Sequence, residues 1–288
     1  MENLTNISVV KDILSRHGFN FSKSLGQNFL INPTVCPRIA ELGNAKEGYG
    51  ILEIGTGFGV LTCELAKRAN KVVAIEIDSR LIPILKETLS EFDNVKVINA
   101  DVMKVDLNQT ICNEFQGLKV SVCANLPYYI TSPIIMMLLE NHLPIESITV
   151  MVQREAGQRL CAKVGTRDTG AITVAVNYYA TVTKLFDVNR GSFMPSPNVD
   201  SCVIRLDIHK DRKLSPKDEE FFFKVVKGAF SQRRKTLTNT ISSSMAISKC
   251  DVSKALESIG ISPSTRAESL TMEQFIKFSQ SLQQVTSL

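Results

Sequence analysis

At 288 residues and 31.9 kDa, with 44% hydrophobic and 22% charged residues, the chain is long enough for one large or two ordinary globular domains and too apolar to be disordered or fibrous. The net charge of +4 is unevenly placed: residues 1–206 carry 20 basic and 20 acidic side chains, residues 207–288 carry 13 and 9, so a neutral body is joined to a basic tail suited to a phosphate-bearing partner or to a solvated helix face. The seven cysteines (Cys36, Cys63, Cys112, Cys123, Cys161, Cys202, Cys250) form no C-x-x-C pair and the three histidines are isolated, which argues against a disulfide framework, a metal site or a hydrolytic triad.

In chain order, residues 6–17 have helical spacing, and Asn32-Pro33 is expected to open a second short helix. Between them runs a polar and aromatic loop, residues 19–30. From residue 50 short apolar runs at 51–54, 72–75, 95–98, 120–123 and 147–152 read as buried strands. Helical stretches at 59–69, 79–91, 131–141 and 154–163 alternate with them. This βαβ alternation predicts an α/β class with a Rossmann-like, doubly wound parallel sheet and right-handed crossovers. Two later runs, 180–188 and 199–208, lack a long helix between them and are expected to pair antiparallel at one edge, with the stiff loop Phe193-Met-Pro-Ser-Pro197 between them. Past Asp207 only helices are expected, at 216–230, 234–246, 250–258 and 271–284, giving a small all-α domain at 209–288 beside a sheet domain at 1–208. No basic-then-apolar leader and no window of roughly 18 apolar residues is present, so a reduced, cytoplasmic protein is expected.

The chemistry-bearing residues fall at strand ends. Glu53-Ile-Gly-Thr-Gly-Phe-Gly59 sits at a strand-to-helix junction, where missing Cβ atoms and free N–H groups admit a ligand. Its G-x-G-x-G spacing differs from the G-x-G-x-x-G of dinucleotide binders. Glu76 closes the second strand, where a carboxylate can accept from both hydroxyls of a ribose; that sugar is common to NAD and S-adenosylmethionine. Asp101, followed by Val102, comes after the third strand and can accept from an adenine amino group, or serve simply as a turn or cap residue. After the fourth strand, Asn125-Leu126-Pro127-Tyr128 offers an amide oxygen, a backbone carbonyl, a stiff backbone and a flat ring. Those are parts for holding a planar amine such as a nucleobase.

Strand ends delivering Gly55 and Gly57, Glu76, Asp101 and Asn125–Tyr128 in that order resemble an S-adenosylmethionine-dependent amino-methyltransferase. Together with Ser24-Leu-Gly-Gln-Asn-Phe-Leu30, Phe193-Met-Pro-Ser-Pro-Asn-Val-Asp-Ser201 and Phe230-Ser-Gln-Arg-Arg-Lys-Thr-Leu237, they resemble the small-subunit ribosomal RNA adenine dimethyltransferases, the KsgA/RsmA family, over essentially the whole chain. The resemblance implies dimethylation of N6 on two adjacent adenines near the 3′ end of small-subunit (16S) rRNA, with S-adenosyl-L-methionine as cofactor, the small-subunit precursor as partner, no membrane or metal, and a monomer. It further implies that Asn28, Leu30, Gly55, Gly57, Glu76, Asp101, Val102 and Asn125 bind the cofactor, and that Asn125, Leu126, Pro127, Tyr128 and Phe193 hold and activate the target base. Phe193 could instead be a hydrophobic plug beside Met194. For the tail, Lys227, Arg233, Arg234 and Lys235 are the expected phosphate contacts, although Arg233–Lys235 could equally be a solvated helix turn. The competing readings are a large-subunit adenine methyltransferase of the macrolide-resistance type, which shares the Asn-x-Pro-Tyr chemistry, a non-catalytic RNA-binding assembly factor, and, disfavoured by the glycine spacing, a nicotinamide dehydrogenase.

Overall fold

A computed structural model describes residues 3–22, 26–211, 213–232 and 234–286. Ser24 and Leu25 of the first motif and Arg233 of the last lie outside the described residues. The chain opens with α1 (Ile7–Arg16), capped by the Asn6 side chain, which accepts from the Ser8 N–H; Val10, Ile13 and Leu14 form its buried stripe. The aromatic loop leads into the two-residue strand β1 (Phe29–Leu30) and then α2 (Val35–Leu42). Pro33 precedes this helix rather than opening it. The Asn32 side chain accepts from the N–H and hydroxyl of Thr34 and folds the Asn-Pro step into a separate turn.

The sheet region then runs β2 (Tyr49–Ile54), α3 (Val60–Ala66), β3 (Lys71–Glu76), α4 (Ile82–Thr88), β4 (Val95–Asn99), α5 (Leu107–Glu114), β5 (Lys119–Asn125), α6 (Thr131–Glu140), β6 (Ser147–Gln153), α7 (Arg154–Leu160), α8 (Ala171–Tyr179), β7 (Ala180–Val188), β8 (Phe193–Met194) and β9 (Ser201–Ile208). Seven strands form one sheet in the order β4-β3-β2-β5-β6-β9-β7, with β2 to β6 all parallel and β9 antiparallel to β6. The two late strands thus occupy one edge, as their spacing suggests. Strands β2, β3, β5 and β6 are buried nearly end to end because helices cover both faces, which is why they read as unbroken apolar runs rather than alternating ones. On one side Ile39, Ile51, Leu65, Val72, Cys123 and Met151 share a core; a second core joins Val10, Ile13, Phe29, Phe58, Ile84 and Leu85. The strand order reverses between β2 and β5, the place where open α/β sheets hold ligands at their carboxyl ends.

The expected helix over 79–91 begins as a single tight turn, Ser79–Leu81, because the Asp78 side chain caps it by accepting from the Arg80 N–H. Two helices were not anticipated, α5 and α8. Only Leu107 and Ile111 of α5 are buried, too few to show a period, and α8 is rich in β-branched and aromatic residues that favour strands until packing decides otherwise.

Contacts divide the chain into two compact units, residues 1–157 with 182–208, and residues 158–181 with 209–288. Helix α8 thereby groups with α9 (Pro216–Ala229), α10 (Leu237–Met245), α11 (Lys249–Glu257) and α12 (Met272–Thr286). Tyr178 and Tyr179 explain this. Their hydroxyls donate to Glu219 at 3.1 and 3.0 Å, and their rings pack on Phe222 and Phe223 with centroids 5.0 and 5.2 Å away. Among the described residues no helix is long and apolar enough to cross a membrane.

Candidate active site

The ends of β2, β3 and β5, the turn after β4 and the loop before β1 converge on one pocket in the first unit. Asn28, Leu30, Gly55, Gly57, Glu76, Asp101, Val102, Asn125, Leu126, Pro127, Tyr128 and Phe193 all line it. Two glycines of the turn after β2 have different reasons to be glycine. Gly57 has φ 58° and a Cβ there would stand 2.9 Å from two ring carbons of Phe29, so strain and collision both exclude a side chain. Gly55, at φ 76°, has only the Asn125 carbonyl at 3.6 Å; the volume a side chain would fill is the pocket itself.

Glu76 is 5% exposed, and its two oxygens accept from the N–H groups of Gly57 at 3.0 Å and Asp78 at 2.9 Å. Burial pushes its carboxyl above the ordinary range, against the pull of those backbone donors. Each oxygen retains a second lone pair, as a diol-binding carboxylate requires. Next to it Asp78 is held below the ordinary carboxylate range, chiefly by hydrogen bonds from Arg80. Asp78 also accepts from Gln27 Nε2 at 2.7 Å, while Gln27 Oε1 accepts from the Ser22 N–H at 2.8 Å, so the aromatic loop is tied down beside Glu76. Asp101 Oδ1 caps the turn after β4 by accepting from the Met103 N–H at 3.0 Å, and the residue also lines the pocket.

At the end of β5 the Asn125 amide nitrogen donates to the Asn28 carbonyl at 3.5 Å, and the Asn28 amide donates to the Gly26 carbonyl at 3.1 Å. With its N–H₂ turned toward the loop, Asn125 has Oδ1 left as an acceptor. The Pro127 carbonyl is already used, accepting from the Ile130 N–H at 3.2 Å and Thr131 Oγ1 at 3.1 Å. Tyr128 is half-buried and its hydroxyl bonds Ser201 Oγ at 2.7 Å, so the first residue of β9 fixes the ring. Burial pushes the phenol above its usual range, and it stays neutral near neutral pH. Phe193 pairs with Leu30 across β1 and β8, is 3% exposed, belongs to the core cluster and also lines the pocket. In the second unit Lys227 lies in the last turn of α9, and Arg234 and Lys235 lie in the bend before α10. All three are exposed, and none lines the pocket.

A family model described as ribosomal RNA adenine dimethylase matches residues 18–284. The chain belongs to that family. Within it, the chain is 48% identical over 276 residues to the ribosomal RNA small subunit methyltransferase A of Geobacillus thermodenitrificans, covering 94% of each. It is 46% identical over 286 residues to the protein of the same name from Bacillus cytotoxicus, covering 98% of each. Among solved structures it is similar to a dimethyladenosine transferase from Plasmodium falciparum, with a TM-score of 0.75 and 28% identity over 90% of this chain and 98% of that one. It is also similar to the 23S rRNA methyltransferase ErmE, with a TM-score of 0.69 and 28% identity over 89% of this chain and all of that one.

Sequence reasoning about this adenine dimethylase passed over Glu53, which opens the glycine motif. Its side chain lines the pocket at 0% exposure with neither oxygen hydrogen-bonded. Burial pushes the carboxyl up to about 8, the Thr62 hydroxyl opposing the rise and the Glu76 charge adding to it. Thr62 Oγ1 does not reach bonding geometry, so burial decides. A charged residue inside the apolar run Ile51–Ile54 was the available signal.

Proposed function

We propose that this protein transfers methyl groups from S-adenosyl-L-methionine to N6 of two adjacent adenines near the 3′ end of small-subunit (16S) rRNA, acting as a cytoplasmic monomer on a small-subunit precursor. The observation that carries the reading is the convergence of Gly55, Glu76, Asp101 and Asn125–Tyr128 on one pocket at the reversal of strand order. The names of the 46–48% identical relatives support the small subunit. The likeness to ErmE keeps large-subunit RNA as the alternative.

Glu76 holds the cofactor's ribose, Asp101 and Val102 its adenine, and Asn28, Leu30 and Gly55 its amino-acid end. When bound, the cofactor supplies an electrophilic methyl group. The N6 lone pair of adenine is delocalised into the ring and is a weak nucleophile. Asn125 Oδ1 and the Leu126 carbonyl accept the two amino hydrogens and draw the nitrogen toward a pyramidal geometry whose lone pair is free to attack. The Leu126 carbonyl is chosen because that of Pro127 is engaged within the turn. Tyr128 stacks on the base and offsets part of its unstacking, about 1–3 kcal/mol per stacked base. As a neutral phenol bonded to Ser201 it is a surface rather than a base. The amine proton, acidified as nitrogen becomes positive, leaves to water, so positioning supplies most of the acceleration. Incubating the protein with methyl-labelled cofactor and unmethylated small or large subunits tests this. Label should enter small-subunit rRNA; label in large-subunit rRNA would shift the assignment to the alternative.

A further inference from the structure

Tyr129 follows the proposed stacking tyrosine in the single turn Tyr128–Ile130 and lines the same pocket. At 62% exposure it is the most open large hydrophobic side chain among the described residues. A lone exposed ring is ordinary on a protein surface, and position and bracing set this one apart. It stands on the rim where Asn125 and Tyr128 also meet the pocket. One side is supported: a Cβ built at Gly26, whose φ is +60°, would come within 3.3 Å of ring carbons Cδ1 and Cε1, so the ring lies against bare backbone. That support ties the ring to the aromatic loop, which Gln27 and Asp78 fasten to the sheet. Among the described residues the ring makes no hydrogen bond and no ring contact, and its 62% exposure leaves most of the side chain open to solvent. A ring held on one side and open on the other is a preformed stacking platform, since little side-chain freedom remains to be lost.

We propose that Tyr129 is a second nucleobase site, the platform on which the base adjoining the target adenine in the RNA chain stacks. This rests on the adenine-methylating function above: a target base drawn into the pocket brings its covalent neighbour to the rim. The neighbour's face is the π surface an open ring recognises, and with no directed donor or acceptor beside it the platform takes any base. Tyr129 is then a positioning residue that acts on RNA binding rather than on methyl transfer.

The test uses the full-length protein and small-subunit particles whose rRNA carries a synthetic segment at the target, with the base on the 5′ or 3′ side of the adenine either intact or abasic. Tyr129→Ala should lower kcat/KM on intact RNA by about 5- to 150-fold, mostly through KM, while Tyr129→Phe and Tyr129→Trp keep it within about threefold. Wild type should lose a similar factor on one of the abasic substrates, and Tyr129→Ala should lose nothing further there. Equal losses for Tyr129→Ala on intact and abasic RNA, a change confined to kcat, or a parallel loss of S-adenosylmethionine affinity would overturn the proposal. If wild type itself methylates no small-subunit adenine, the function it rests on fails, and that outcome is read from the wild-type lane alone.

Discussion

Glu53 carries a buried carboxyl whose two oxygens have no hydrogen-bond partner, and its pKa of about 8 against 4.5 for a free glutamate makes stability depend on pH. Between those values the folded protein holds a proton that the unfolded chain has released. Stability from this group is therefore present at low pH and lost as pH rises through about 8. The uncharged Glu53→Gln variant should gain stability relative to wild type from about pH 5 to about pH 8, by a few kcal/mol in total, measured as the difference in denaturant unfolding free energy at each pH. A constant difference would mean that Glu53 is ionised throughout. At this scale the pocket was legible wherever a polar residue stood at a strand end, as Glu76 and Asn125 do, or just past one, as Asp101 does. Glu53 was not, because a carboxylate inside an apolar strand announces burial and does not say what it faces.

The turn after β2 is held by packing as much as by ligand space. Gly57→Ala forces a Cβ to 2.9 Å of the Phe29 ring at a positive φ and should destabilise the fold by about 1–3 kcal/mol, read from the midpoint of denaturant unfolding. An unchanged midpoint would show that Phe29 can swing away. Strands β2, β3, β5 and β6 were readable because burial on both faces makes continuous apolar runs. Helix α8 was hidden for the opposite reason. Its Ile, Val, Thr and Tyr side chains favour strands locally, and its helical state is fixed by contacts of Tyr178 and Tyr179 with residues some forty positions away.

Over the whole chain, the two compact units divide the charge more sharply than chain order does: residues 1–157 with 182–208 carry 17 basic and 20 acidic side chains, and residues 158–181 with 209–288 carry 16 and 9. Lys227, Arg234 and Lys235 are exposed in the second unit, and we propose them as its phosphate contacts. Replacing all three with Ala should weaken RNA binding and reduce the slope of log K against log salt by about 0.7–0.9 for each phosphate left unneutralised. A slope equal to that of wild type would remove them from the RNA site. We propose that the pocket formed around Asn125–Tyr128 dimethylates adenine in small-subunit rRNA. Nucleoside mass spectrometry of small-subunit rRNA, after incubation with cofactor and either wild type or Asn125→Ala, tests it most directly. Wild type should yield two N6,N6-dimethyladenosines per rRNA, and the variant should react about 10²-fold or more slowly. Equal yield and rate from Asn125→Ala, or no dimethyladenosine from wild type, would contradict it.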